Sequence, residues 1–458
     1  MIARIGSPIP FVSREKFGGK GKNLLELGEE FPVPEGFVVS SEVYADFFAR
    51  NGLKEPIKKA LDGKDIKEVE KEAADRFLQG DFSQTIEDVL KKELERLHSI
   101  SPNRPTAVRS SGIDEDGASK SFAGRHDSFF GKLDDKGLLE YIKRCYASAF
   151  NAVALKYRQE HGLGLPKGMA VVVQNMINFE VGFVAYTASL FGYDYMLIEA
   201  APGHCKSVVD GRAVDSFKIG LPKGDIDKKT NKNKQMMWQF DEMQGKLALA
   251  PIPKKYADKE CLTDDQIKEI ADIGIEIEKC YALEYPNERK PQDIEGGFDY
   301  KGKLWITQSR DITGMSFKAP DIVLPNLDKI IGSSYNVGTT GVYEGPVVIV
   351  KDVDPNGADF TLKGDADIRS LDAQFSSGYM LVTPETNPVL DYHLNNCKAV
   401  VATECGIMSH AGATARERGL IFVGCVESAD QSRLADRLNH GDVVCVAANK
   451  KKGIIGYR

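Results

Sequence analysis

The chain has 458 residues, enough for two to four domains of ordinary size and far more than a small scaffold held by disulfides. Its nine apolar residue types make up 42% and its charged residues 28%, which excludes wholesale disorder. With 60 Lys and Arg against 67 Asp and Glu, the net charge of −7 argues against a protein that tracks a nucleic-acid backbone, while a locally basic site for a small anion stays open. The eight cysteines form no CxxC pair and sit mostly in apolar runs such as Phe422-Val423-Gly424-Cys425, so they read as reduced, buried hydrophobes. No stretch approaches the roughly 18 apolar residues of a membrane span, and the N-terminus shows no long apolar leader core. The expectation is a cytoplasmic protein with neither nucleic-acid nor membrane partners.

In chain order, the first signal is Gly18-Gly19-Lys20-Gly21, a turn running into the helical spacing of Lys22 to Leu27. Glycines before a helix let a backbone approach closely and the helix N-terminus attracts anions, so Lys20 suits a phosphate clamp; a plain surface turn has the same composition. Residues 54–98 carry dense charge with Ile57, Leu61, Val69, Phe77, Ile86, Leu90, Leu94 and Leu97 at helical spacing, predicting two helices with a solvated face. Residues 105–131 read as strand, acidic loop, strand. There Val108-Arg109-Ser110-Ser111-Gly112 puts an arginine between an apolar run and hydroxyls, able either to grip a phosphate bidentately or to pair with Asp114, Glu115 or Asp116. Residues 138–161 predict one long amphipathic helix, 168–199 a sheet, 223–234 an exposed polar loop and 264–283 a helix.

A hairpin follows at residues 292–310. Period-two alternation points Asp293 and Glu295 to one face, with Gln308 and Arg310 sharing a face of the partner strand. Hard oxygen donors beside a cation suit Mg²⁺ bridging ATP phosphates, although an ordinary solvent-facing hairpin alternates too. Residues 311–336 show no sustained period and read as a linker. Beyond them lies a β-rich unit with short apolar strands at 346–350, 379–383, 398–402, 420–425 and 442–447. Within it, Ser409-His410-Ala411-Gly412 opens a helix. The dipole there would favour a phosphorylated imidazole, making His410 a candidate nucleophile; a lone histidine is also a common structural residue.

Four ordered motifs, GGKGKNL, AVRSSG with SFAG, QDIEGGF with WITQSRD, and GIMSHAGATARERG, resemble the nucleotide and phosphohistidine domains of the phosphoenolpyruvate synthase and pyruvate phosphate dikinase family over essentially the whole chain. The resemblance implies an α/β and α+β multidomain protein: an ATP-grasp-like two-lobed nucleotide domain followed by a swivelling β/β/α phosphohistidine domain. The expected division is 1–165 and 166–312 for the two lobes, 313–336 for the linker and 337–458 for the swivelling domain. By position, His410 matches the phosphorylated histidine, and Lys20, Arg109 and Arg310 match phosphate-contacting cations. Gly124 matches a backbone contact in the loop covering the phosphates, Glu295 and Gln308 match the metal ligands with Asp293 adjacent, and Gln174 and Glu199 fall where adenine and ribose bind.

Five departures qualify this pattern. Gly296-Gly297 stands where an aromatic residue usually follows the metal-binding glutamate, and Asp311 stands where a proline is usual. Gly203-His204-Cys205-Lys206 replaces a stretch that tends to end in an acid, and Arg125-His126 stands where a glutamine is common. The chain ends at Arg458, directly after the histidine region, so the pyruvate-binding barrel is expected to be missing or elsewhere. The resulting expectation is an ATP- and Mg²⁺-dependent dikinase-type phosphotransferase that cleaves ATP to AMP through phospho-His410. Its phosphoryl acceptor would be a small molecule or one bound by a separate subunit. The alternative is a phosphocarrier or regulatory nucleotide-binding module acting through protein partners; an ATP-grasp ligase would have no use for the histidine motif.

Overall fold

The computed structural model describes residues 1–458 apart from 10, 64, 103, 115, 118–119, 122–127, 161, 213, 222–223, 232–233, 283–288, 313–314, 316–318, 320–321, 354–359, 365–366, 386–395 and 429–432. The chain forms two compact units, one of residues 1–178, 240–248 and 294–313, the other of residues 179–239, 249–293 and 314–458. Among the described residues no helix is long and apolar enough to cross a membrane.

In the first unit a five-stranded sheet runs in the order Ile2–Arg4, Gly36–Val39, Met169–Asn175, Thr106–Gly112, Ser128–Gly131, antiparallel throughout. Helices pack on it through a core that includes Phe37, Phe47, Phe77, Leu90, Tyr146 and Val173. The region read as two charged helices holds three: Lys54–Gly63, Ile66–Gln79 and Gln84–Ile100. Caps divide them, with the Asp65 carboxylate accepting from Lys67 N and Glu68 N, and Ser83 Oγ accepting from Ile86 N. The single helix expected at 138–161 is likewise broken, into Asp135–Ala147, a short 3₁₀ turn at Ser148–Phe150 and Ala152–Glu160. The hairpin forms as expected from neighbouring strands Gln292–Asp299 and Leu304–Asp311, its turn closed by Asp299 Oδ1 accepting from Lys301 N and Lys303 N.

In the second unit the strands Ile226–Lys229, Asp215–Gly220, Tyr195–Pro202 and Phe179–Tyr186 lie side by side, antiparallel. Part of the polar 223–234 segment, expected to be an exposed loop, is therefore an edge strand; its backbone pairs with Asp215–Gly220, which polarity alone does not reveal. The histidine-bearing portion is a larger sheet ordered Asn336–Thr339, Ile421–Gly424, Cys397–Ala402, Tyr379–Thr383, Gly341–Val353, Val443–Ala448, Gly453–Tyr457, Lys329–Ser334, Glu427–Ser428, with Phe360–Leu362 paired to the long strand. The five apolar strands read from the sequence are all present. Gly341–Val353 joins two arrangements, pairing parallel to Tyr379–Thr383 through Val347–Ile349 and antiparallel to Val443–Ala448 through Gly341–Pro346. Val347, Ile349, Met380, Val401, Val423 and Val446 form its core. The end of the stretch read as linker, Lys329–Ser334, is a strand paired with Gly453–Tyr457.

Candidate functional site

The first unit draws three sequence motifs together. Gly18 breaks the helix Arg14–Leu27 with φ +66° and ψ 175°, and a Cβ there would lie 2.3 Å from both the carbonyl oxygen and Oγ of Ser111. Only glycine fits that left-handed, backbone-crowded position. Ser111 Oγ donates to Phe17 O at 2.9 Å and accepts from Gly21 N at 3.0 Å, so the AVRSSG strand pins both sides of the glycine turn that carries half-buried Lys20. Asn23, just past the turn, donates through Nδ2 to Ser309 O of the hairpin at 2.6 Å.

Arg109 closes the third link. It sits on the strand Thr106–Gly112 with its side chain 14% exposed. Its Nη1 donates to Thr307 O at 2.7 Å and its Nη2 to Gln308 Oε1 at 2.9 Å, while Glu295 Oε2 lies 3.7 Å away. Gln308 Nε2 in turn donates to Glu295 Oε1 at 2.9 Å, making a triangle of guanidinium, amide and carboxylate. The local pairing left open in the sequence is thereby decided for Asp114, which binds Arg158 Nη2 at 2.5 Å. Alternation on the hairpin works because facing side chains of neighbouring strands touch. Half-buried Arg310 belongs to the same strand as Gln308, and Asp293, 4% exposed, precedes Glu295 on its strand in the segment assigned to the second unit. Gln174 is 3% exposed on Met169–Asn175, where its Nε2 donates to Pro34 O at 3.1 Å. Gly124 lies outside the described residues.

In the second unit the structure places His410 as the first residue of the helix His410–Arg418. Ser409 caps it: the hydroxyl donates to Gly406 O at 2.6 Å and accepts from Gly412 N at 3.3 Å. That hydroxyl is thus committed to shaping the helix start. Arg416, two turns on, donates through Nη1 to Ile407 O at 2.5 Å and through Nη2 to Tyr186 Oη at 3.0 Å. The helix ends at Gly419 with φ +65°.

Glu199 lies beneath the loop before the histidine, wholly buried on Tyr195–Pro202. Its carboxylate accepts from Asn336 Nδ2 at 2.9 Å, Ile407 N at 3.1 Å and Met408 N at 3.3 Å. A Cβ on Gly406 would fall 2.0 Å from Glu199 Oε1, so this close approach requires glycine. Burial raises the Glu199 pKa against the pull of those donors. Further contacts tie the same strands to the histidine-bearing sheet: Arg212 Nη2 to Glu385 Oε1 at 2.5 Å, and Lys229 Nζ to Cys425 O at 2.7 Å. Lys206, standing where an acid tends to occur, holds Asp210 at 2.7 Å and lies over the Trp238 ring. Sequence reading gave Ser111, Asn23, Asn336 and Arg416 no separate role, although three of them lie inside the quoted motifs. Asn336, at the edge of an aperiodic stretch, carried no signal.

Comparison with known proteins gives two family matches. Residues 14–328 match the family described as pyruvate phosphate dikinase, AMP/ATP-binding domain, and residues 375–451 match the PEP-utilising enzyme, mobile domain. A probable phosphoenolpyruvate synthase of Methanocaldococcus jannaschii is 30% identical over 412 residues, covering 85% of this chain and 32% of the relative. That of Methanothermobacter thermautotrophicus is 28% identical over 448 residues, covering 94% of this chain and 60% of the relative, and the phosphoenolpyruvate synthase of Aquifex aeolicus is 30% identical over 443 residues, covering 90% and 49%. The chain thus spans between about a third and three fifths of the length of these relatives. A solved structure, of D-cycloserine synthetase DcsG, aligns with 64% of this chain and 62% of that chain at 10% identity with a TM-score of 0.25, too low to indicate a shared fold. With a nucleotide-domain match over most of its length and a mobile-domain match after it, the chain belongs to the phosphoenolpyruvate synthase and pyruvate phosphate dikinase family.

Proposed function

We propose that this chain is a dikinase-type phosphotransferase that cleaves ATP to AMP through a phosphohistidine on His410 and passes the phosphoryl group to a small or partner-bound acceptor. The observation that carries this reading is the triangle of Arg109, Gln308 and Glu295, sewn by Ser111 and Asn23 to the turn bearing Lys20. Phosphoryl transfer asks a protein chiefly for positioned charge, and this arrangement gathers a guanidinium, an amide and a carboxylate beside the turn that bears Lys20. The residues fit Mg²⁺: Glu295 and Gln308, with Asp293 adjacent, offer the hard oxygen donors that Mg²⁺ takes alongside phosphates. When bound, the ion supplies neutralising charge between phosphate groups. Lys20, Arg109 and Arg310 bind and orient the triphosphate, the backbone at Gly124 covers it, and Gln174 receives the adenine.

An imidazole nitrogen of His410 attacks the β-phosphorus. The bond from the β-phosphorus to the α–β bridging oxygen breaks, AMP leaves, and the terminal phosphate goes to water or inorganic phosphate. The helix N-terminus under His410 favours the anionic phosphoimidazole. Glu199 contacts ribose in exchange for its present bonds to Ile407 and Met408, so nucleotide entry and withdrawal of the histidine loop are coupled. Residues 1–165 and 166–312 then serve as the nucleotide lobes, and 337–458 together with the paired strand Lys329–Ser334 as the moving domain.

The test is incubation with Mg²⁺ and ATP labelled separately at the β and γ positions. An acid-labile adduct from the β label together with AMP, both lost in His410→Ala while ATP binding persists, is the expected result. ADP without an adduct overturns the reading. An adduct that stalls after one turnover with every acceptor supplied indicates the phosphocarrier alternative.

A further inference from the structure

Within the second unit a cavity of about 240 Å³ opens between the strands Ile226–Lys229, Asp215–Gly220 and Tyr195–Pro202 and the histidine-bearing sheet. Strand register explains what forms its floor. Glu199, Ser216 and Lys229 stand in one row across three strands, and Leu197, Lys218 and Asp227 stand in the next, with all six side chains on one face. The first row is fastened to the other sheet through Glu199 to Ile407 and Asn336, and through Lys229 to Cys425 O and Ser334 Oγ. The second row, with Tyr195 beyond it, is left facing the cavity.

The charges do not cancel. Lys228 alternates to the opposite face, where its Nζ meets Asp264 Oδ1 at 2.5 Å. That leaves Lys218, Lys229 and Lys450 against Asp227 and Glu427, one positive charge in excess. Lys218 stands at the centre of the second row. Its ammonium lies 5.2 Å from the centroid of the Tyr195 ring, and burial lowers its pKa, with Asp227 opposing and Lys229 assisting. The volume lies below the roughly 300 to 1,000 Å³ of pockets for drug-sized ligands, so the occupant is small. None of the lining residues belongs to the unit that holds Arg109, Gln308 and Glu295.

We propose that this cavity binds a small anionic metabolite, a carboxylate or a phosphate monoester, with Lys218 as the principal cation and the Ser216 and Ser334 hydroxyls as polar partners. The site goes beyond the nucleotide and histidine chemistry and does not depend on it. Because floor and roof come from different sheets, an occupant bridges them and favours the arrangement in which Glu199 holds the loop before His410.

Pyruvate and inorganic phosphate, titrated separately into the full chain at low ionic strength and followed by calorimetry, distinguish the carboxylate from the phosphate source. At least one should bind with one-to-one stoichiometry. Lys218→Met should weaken it about tenfold or more, the loss of one charge-assisted contact, and Lys450→Met should weaken it too. Both substitutions fall on half-buried residues, and unchanged thermal unfolding would show that the variants fold. Binding of neither probe, binding indifferent to both lysine variants, or displacement of the probe by AMP with AMP binding itself lost in Lys218→Met would overturn the assignment. Phosphoenzyme formation from labelled ATP, read in parallel, tests the nucleotide chemistry separately. An anion that binds without phosphoenzyme formation leaves this site standing, and phosphoenzyme formation without anion binding removes it alone.

Discussion

Gly18 shows how tightly one residue constrains the nucleotide end of the chain. Its left-handed backbone and the 2.3 Å clearance to Ser111 leave no room for a methyl group. Gly18→Ala should therefore cost about 2 kcal/mol or more, since both strain and a backbone clash oppose it. Urea unfolding of the purified variant checks the stability, and the same sample should bind ATP more weakly because Lys20 is two residues away. The equivalent change at Gly52, also at positive φ but with open space around its Cβ position, carries only the conformational part of that cost. At this scale the sequence was informative where chemistry was concentrated: Arg109, Glu295 and Gln308 could be picked out from charge and alternation. Their mutual geometry could not, because residue spacing does not say that a strand at 106–112 meets a hairpin near 308. The Arg109 guanidinium, with three local acids among its candidate partners, goes instead to a carboxylate and an amide almost two hundred residues away.

Among the elements, the loop 406–408 is held by Glu199 together with Asn336 of the histidine-bearing sheet, whose Oδ1 accepts from Ile407 N at 2.9 Å. Glu199→Ala leaves Met408 N–H without its acceptor, while Ile407 N–H keeps Asn336 Oδ1. Hydrogen exchange at the Met408 amide should accelerate by about tenfold or more, matching an unpaired buried donor worth at least 1 kcal/mol, and that at Ile407 by less. Exchange as slow as in the parent protein would mean that the loop is held by Asn336 and the Ser409 cap alone. Element boundaries show where sequence reading stopped. Asp65 and Ser83 split a charged stretch into three helices through caps that a count of apolar residues passes over. The strand Ile226–Lys229 is hidden by its own polarity: it lies at a sheet edge, and two of its four side chains are exposed. Lys329–Ser334 was hidden differently, for its hydrogen-bonding partners come from the last strand of the chain and leave no local trace. Apolar strands buried on both faces, such as Tyr379–Thr383, were legible because burial fixes composition.

For the molecule as a whole, buried carboxylates set the pH response. Burial pushes Glu385 up to about 8 from an ordinary 4.5, with Arg212 pulling the other way. The folded state then holds a proton that the unfolded chain releases. Stability from this group is complete below about pH 4.5 and is lost as pH rises through about 8. Glu199 and Asp215, both also raised by burial, act in the same sense. Thermal unfolding followed from pH 5 to pH 8.5 should show a falling midpoint, and Glu385→Gln should flatten part of that slope. A slope equal to that of the parent would assign the effect to the other two groups. The pairing of Lys329–Ser334 with Gly453–Tyr457 concerns time as well as energy. The earlier strand leaves the ribosome about 120 residues ahead of its partner, and at typical elongation rates that is a wait of about ten seconds. Throughout it, a stretch containing Ile330 and Ile331 stands as an open edge, so during synthesis the histidine-bearing sheet depends on whatever shields that edge until the final strand arrives.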